Sequence, residues 1–227
     1  MSKLKTHINF DLLNNLSDNT FQLKKGGYLY RKADASTCIM LIHSGSLKTV
    51  YSFEGTKEHR VDDFHIKNDI IGLDAMMDSY YSTDAIALED SIIKAVSYEK
   101  FSLCASRSPE VVEMLDTLKA RFMARKEETR RILNNLRAES RMAAFFISII
   151  SRMASIGYSN QEIQLKMTNK DIANFLGVKG ETISRAKKSL VKTGAILWDK
   201  KNFKILNLEI LNKIISPKTS HNLMFGF

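Results

Sequence analysis

Apolar positions change their period twice along the chain. Over the first hundred residues they fall in short runs bounded by turn residues. Tyr28 to Tyr30 follows Gly26 and Gly27, and the run Cys38 to His43 ends in the turn Ser44 to Ser46. Leu47 to Tyr51 comes next, then a turn at Glu54 and Gly55, then the strand-like runs Ile70 to Gly72 and Ser91 to Val96. Such spacing predicts antiparallel strands rolled into a barrel or jelly roll. Only two prolines occur in the chain, so the turns rest on Gly, Asn, Asp and Ser.

At Pro109 the period becomes helical. Ser108 can cap, Pro109 suits the first helical position, and Glu110 complements the positive end of the helix dipole. Val111, Leu115, Leu118, Phe122, Thr129, Ile132 and Leu136 lie largely on one stripe, interrupted at Arg125. A helix of about 28 residues spans roughly 40 Å, more than a small barrel can cover. The heptad-like spacing predicts that the same helix of a second subunit covers the stripe, giving a homodimer. The plainer alternative is that the stripe packs on its own domain.

Ala138 to Ser140 reads as a break, followed by a helix from about Arg141 to Ile156 that is apolar around much of its circumference. That is the pattern of the central helix of a small domain. Thr168 to Asp171 is an N-cap with an acidic residue three positions on. Ile172, Ala173 and Leu176 form an inner face, Gly177 ends this short helix, and a second begins near Lys179 with Ile183, Ala186 and Leu190 inside. A small residue where helices cross, a glycine for the left-handed turn and a second amphipathic helix make a helix-turn-helix. Ile196 to Trp198 and Phe203 to Leu206, joined by a lysine-bearing turn, read as a hairpin wing.

The second helix carries the candidate chemistry. Glu181, Ser184 and Arg185 lie at i, i+3 and i+4, one outward cluster near its N-terminus. In a major groove Arg can bond guanine O6 and N7 together, and Glu can accept from cytosine N4. The bland alternative is a surface Glu–Arg pair. Phosphate contacts are expected from Thr168, Lys170, Lys179, Thr182, Lys187 and Lys188, and from Lys200 and Lys201 at the wing tip.

Charge sharpens this division. Of a total of +9, residues 1–108 carry −1, residues 109–137 carry +2 and residues 138–227 carry +8. A basic segment behind a near-neutral one points to a polyanion-binding module attached to something else. The expected organisation is therefore α+β: a β-roll sensor over 1–108, a dimerisation helix over 109–137 and a winged helix-turn-helix over 138–227. No apolar run reaches the ~20 residues of a membrane span, and the N-terminus lacks a signal-peptide core. A cytoplasmic location without membrane partners is the expectation.

The segment Met167 to Arg185 closely resembles the DNA-binding motif of the Crp/Fnr family of bacterial transcription regulators. Ala138 to Phe145 resembles that family's helix after the hinge, and Leu41 to Lys48 and Ile70 to Asp74 resemble its β-roll. The resemblance covers roughly residues 20 to 210. It implies a homodimer with a cyclic-nucleotide-binding-type roll, a long dimerisation helix and double-stranded DNA as partner. It also implies contact with RNA polymerase, most often as an activator. Glu181, Ser184 and Arg185 are similar to the Fnr branch, since the cyclic-AMP branch has an arginine where this chain has Gly180. The implied operator is a palindrome near TTGAT–N4–ATCAA. Arg185 would take the guanine, Glu181 the paired cytosine and Ser184 a neighbouring thymine.

No cofactor is expected. The cyclic-AMP branch resembles Gly-Glu-Leu followed by Arg-Ser in its phosphate cassette. Here the corresponding stretches are Gly72 to Asp74 and Ser82 to Asp84, without the arginine and with carboxylates that would repel a phosphate. The Fnr branch holds an iron–sulfur cluster on N-terminal cysteines. Residues 1–37 contain none, and Lys94 stands at the fourth ligand position. Cys38 reads as a core residue, and no charge pattern activates Cys104. His59 and His65 are six apart and make no compact ligand pair, so no metal site and no enzyme activity are expected. Two rival readings are a jelly-roll metal-dependent enzyme with a basic accessory domain and a non-specific nucleoid protein.

Overall fold

The computed structural model describes residues 10–53, 55, 58–135, 137–157, 163–199 and 202–215. Two compact units, Met1–Glu127 and Glu128–Phe227, divide the chain.

The first unit begins with α1 (Phe10–Leu16), followed by β1 (Asn19–Leu23), β2 (Tyr28–Tyr30), β3 (Cys38–Ser44), β4 (Ser46–Ser52), β5 (His59–Ile66) and β6 (Ile70–Ile71). A short α2 (Ala75–Asp78), β7 (Asp84–Ala87), β8 (Ser91–Ser97) and α3 (Tyr98–Ala105) complete it, before the long α4 (Pro109–Asn135). Two four-stranded antiparallel sheets form the roll, in the orders β1-β8-β3-β6 and β2-β7-β4-β5. Their inner faces enclose Tyr30, Met40, Ile42, Leu47, Ile71, Tyr81, Ala85 and Ile93. Tyr30 and Tyr81 stack with ring centroids 3.7 Å apart. The tight β3–β4 turn needs Gly45, whose φ is +88° and where a Cβ would stand 2.1 Å from Ser91 Oγ.

The apolar run in β3 is continuous because both its faces are covered. Met40 and Ile42 point into the roll, whereas Ile39 and Leu41 join a second cluster with Leu13, Val96, Phe101, Val111, Met114 and Leu118. That second cluster corrects one expectation. Val111 and Leu118, assigned to a subunit interface, are 2% and 3% exposed within a single chain. The helix spends those side chains on its own roll, with Leu115 partly buried beside them. The large apolar side chains that α4 leaves open in this unit, among the described residues, are Val112, 43% exposed, and Met123, 66% exposed. Phe122 is half-buried.

Arg125 explains the interruption of the apolar stripe. Its guanidinium, largely buried, bonds Asp63 Oδ2 at 2.8 Å, Asp69 Oδ2 at 3.2 Å and the Phe64 carbonyl. Burial alone would lower its pKa, but Asp63 and Asp69 more than reverse that and hold the charge. Lys126 pairs with Asp62 at 2.7 Å. A polar anchor thus fastens α4 to β5 at the end of the apolar stretch.

The second unit holds the end of α4, α5 (Ala138–Ser155), β9 (Ile163–Gln164), α6 (Asn169–Leu176), α7 (Gly180–Lys192), β10 (Ile196–Asp199), β11 (Asn202–Ile205) and α8 (Leu208–Ile215). Helix α5 starts at Ala138, so the Ala138–Ser140 stretch read as a break is its first turn, with Arg137 at the N-cap. In this unit Thr129 is half-buried and Ile132 buried, whereas Leu136 lies outside the described residues. The core centres on Phe146, stacked on Phe203 at 4.1 Å and edge-on to Trp198 at 5.0 Å.

Candidate nucleic-acid interface

Helix α6 is fixed at both ends. Thr168 Oγ1 accepts from the Asp171 amide at 3.0 Å, and the Asp171 carboxylate accepts from the Thr168 amide at 3.1 Å, a reciprocal capping box. The Thr168 hydroxyl proton also goes to Asp171, at 2.7 Å. It is therefore committed to its own helix rather than to the phosphate contact assigned to it. At the other end Gly177 adopts φ +64°, the left-handed conformation the turn requires. Arg141 Nη1 donates to the Leu176 carbonyl at 3.0 Å.

The chain then turns through Val178, and Lys179 becomes the N-cap of α7. The Lys179 carbonyl accepts from the Thr182 and Ile183 amides at 2.9 and 3.3 Å. Ile183, Ala186 and Leu190 are buried, as their spacing predicts. Glu181, Ser184, Arg185 and Lys188 are exposed, and Thr182 and Lys187 are half-buried. Among the described residues, no hydrogen bond or ion pair engages the Glu181 carboxylate or the Arg185 guanidinium. The i,i+4 pair that was the bland alternative is not formed. Ser184 is different, since its Oγ donates to the Gly180 carbonyl at 3.2 Å.

Between α6 and α7 lies an open cleft of about 460 Å³ lined by Asn169, Lys170, Ala173, Asn174, Val178, Gly180 and Ser184. Lys170 and Lys179 are exposed near it. Lys187 places its ammonium 4.4 Å from the centre of the Trp198 ring, a cation–π contact from recognition helix to wing. The wing pairs β10 with β11 from Ile196 opposite Ile205 to Asp199 opposite Asn202, and β11 with β9. Lys200 and Lys201, expected at its tip, lie outside the described residues.

Three consecutive residues not singled out individually by the sequence reading frame the interface. Glu139 Oε1 accepts from Ser189 Oγ of α7 at 2.6 Å. Ser140 Oγ donates to the Ile214 carbonyl of α8 at 2.8 Å, and Arg141 holds the end of α6. The signal available was a run of polar residues at the head of an otherwise apolar helix, where exposure would have been the simpler assumption.

In the roll, the region lined by Tyr30, Thr49, Asp62, His65, Asp74, Thr83, Phe122 and Lys126 encloses about 10 Å³, space for about one water. Lys126 there is already paired with Asp62, and Asp74 accepts a 3.4 Å hydrogen bond from Ser82. Asp84 accepts from the Lys32 amide and the Ser52 hydroxyl. These residues do not fit a cyclic phosphate, which needs an uncommitted cation and few carboxylates. His65 is buried with Nε2 3.2 Å from Thr49 Oγ1, whereas His59 is exposed at the other end of β5. Among the described residues no group of three or more His, Cys, Asp or Glu could hold a metal ion. Nor, among them, is any helix long and apolar enough to cross a membrane.

Two stretches of the chain match family models. Residues 140–214 match the Crp-like helix-turn-helix domain, and residues 20–108 match the cyclic nucleotide-binding domain. The transcriptional regulatory protein btr of Bordetella pertussis is 27% identical over 207 residues, 91% of this chain and 85% of that protein. The transcriptional activator protein anr of Pseudomonas aeruginosa is 29% identical over 185 residues, 82% of this chain and 75% of that protein. Among solved structures, FixK2 from Bradyrhizobium japonicum superposes with a TM-score of 0.78 at 20% identity. It spans 87% of this chain and 97% of that one, a likeness of fold.

Proposed function

The chain belongs to the Crp/Fnr family of transcription regulators, and we propose that it binds as a homodimer to a palindrome near TTGAT–N4–ATCAA. The observation that carries this reading is one turn of α7. A carboxylate at Glu181 and a guanidinium at Arg185, neither engaged among the described residues, stand exposed beside the Ser184 hydroxyl on a helix whose opposite face is buried. Arg185 bonds guanine O6 and N7, and Glu181 accepts from the N4 amine of the cytosine paired with it. Lys170, Lys179, Thr182, Lys188 and the wing lysines Lys200 and Lys201 supply phosphate contacts that set register without reading sequence. Lys187 serves phosphate from a position over the Trp198 ring. Two such helices related by a twofold axis meet half-sites about one helical turn apart.

The dimer forms along α4 through the apolar side chains left open there, Val112 and Met123 in the first unit. Bound upstream of a promoter, it contacts RNA polymerase as an activator, a role supported by the activator name of the Pseudomonas relative. The roll works without cyclic AMP and without an iron–sulfur cluster. Its interior is filled by apolar side chains, Asp62 and Asp74 border the small space that remains, and no cysteine stands between Met1 and Cys38.

Fluorescence anisotropy on duplexes carrying the palindrome or its scrambled sequence tests the reading. A preference of roughly 10³-fold or more is expected of a specific regulator. Equal affinities would indicate a non-specific nucleoid protein instead.

A further inference from the structure

A serine hydroxyl has one proton to give and two lone pairs to receive with. In Ser184 the proton is already given, to the Gly180 carbonyl one turn back, at 3.2 Å. Such bonding to the i−4 carbonyl is an option open to serine within a helix. At Gly180 nothing lies within 4 Å of where a Cβ would stand, and its φ is not one that demands glycine. Glycine inside a helix costs stability relative to alanine, and nothing among the described residues requires it here. The free space lies on the outer surface, beside Ser184 and the α6–α7 cleft.

The surface turned towards a groove is therefore two acceptors and one donor. Glu181 only accepts, Arg185 only donates, and Ser184 with its proton committed accepts. We propose that Ser184 reads its base pair as an acceptor, from the exocyclic amine of adenine N6 or cytosine N4. Thymine O4 and guanine O6, themselves acceptors, are not its partners. In the proposed half-site the pairs flanking the guanine are both A·T. Ser184 then identifies such a pair through its adenine, not through the oxygen of its thymine. This assignment rests on the DNA-binding reading above and gives it an atomic polarity.

The experiment uses the full chain and palindromic duplexes modified symmetrically in both half-sites. Each adenine in turn is replaced by purine, which lacks the N6 amine, and each thymine by uracil, which lacks the C5 methyl. One purine replacement, made in both half-sites, removes two hydrogen bonds and should weaken the native protein about thirtyfold, at about 1 kcal/mol each. Ser184→Ala should be indifferent to that same replacement, and Ser184→Thr, which keeps a hydroxyl, should remain sensitive. Native protein indifferent to every purine duplex would overturn the assignment. So would a loss with uracil that Ser184→Ala abolishes, which would place the serine methylene against a thymine methyl. A protein that does not prefer the unmodified palindrome over scrambled DNA would overturn the DNA reading itself, an outcome distinguishable from both.

Discussion

The Ser189 hydroxyl in the middle of α7 donates a 2.6 Å hydrogen bond to the Glu139 carboxylate in the first turn of α5. It joins the helix proposed to enter the groove to the central helix of its own unit, one turn beyond Arg185. Removing it should loosen the recognition helix without touching any group that meets DNA. Hydrogen bonds to charged groups contribute about 1.5–3 kcal/mol, so Ser189→Ala should lower the stability of the second unit by that order in urea unfolding. Ser184→Ala, at an exposed position on the same helix, should leave stability within about 0.5 kcal/mol of the native value.

Arg185→Ala and Glu181→Ala should each cost about 1–3 kcal/mol on the palindrome and relax specificity at one base pair. Lys188→Ala should weaken all duplexes alike and reduce the salt slope by about one counterion. Anisotropy titrations over a range of salt concentrations separate the two behaviours. An equal loss on cognate and scrambled DNA for Arg185→Ala would remove its base-reading role.

Arg125 neutralises two carboxylates inside the first unit. Arg125→Ala removes the guanidinium that bridges Asp63 and Asp69, and breaking a buried pair in this way costs about 3–5 kcal/mol. Thermal unfolding followed by circular dichroism should show the loss. Combining Arg125→Met with Asp63→Asn should recover part of it, because the stranded charge is removed with its partner.

Lys126 gives a pH dependence of definite sign. Burial lowers its pKa, but Asp62, helped by Asp63 and Tyr51, raises it overall above the ordinary 10.5. A raised folded value stabilises the folded state while lysine is charged in both states, below its ordinary value. That contribution disappears as pH climbs through the folded value. Stability should accordingly be insensitive to this pair at neutral pH and fall on the alkaline side above about pH 10.5. Lys126→Met should flatten that limb of the stability curve.

Val112 and Met123 are large apolar side chains that α4 leaves open in the first unit. Met123→Glu should shift the protein from dimer to monomer in sedimentation velocity while the circular dichroism spectrum persists. Leu118→Glu should instead unfold the first unit, since that side chain is buried in its own core.

Local signals were legible wherever a residue's role is settled by its immediate neighbours along the chain. Pro109 starts α4 where expected, Thr168 and Asp171 form their capping box, Gly177 makes the left-handed turn, and β10 and β11 make the wing. The inner and outer faces of α7 follow directly from its period. The four-residue α2 and the two-residue β9 are too short to carry such a signal, whereas Ser97 caps α3 and Asn207 caps the amphipathic α8.

Composition and period thus determined a near-neutral strand-rich half, a long helix, and a basic half with a recognition helix carrying Glu181, Ser184 and Arg185 outward. Only the tertiary structure decided that Val111 and Leu118 close the roll's own core, that Arg125 is an internal anchor, and that Glu139, Ser140 and Arg141 brace three other helices. It alone committed the Ser184 proton to Gly180. Periodicity specifies which side of a helix is apolar, because side-chain direction follows backbone geometry. It does not specify what covers that side, or where a buried proton or charge finds its partner. Those depend on segments brought together from distant parts of the chain.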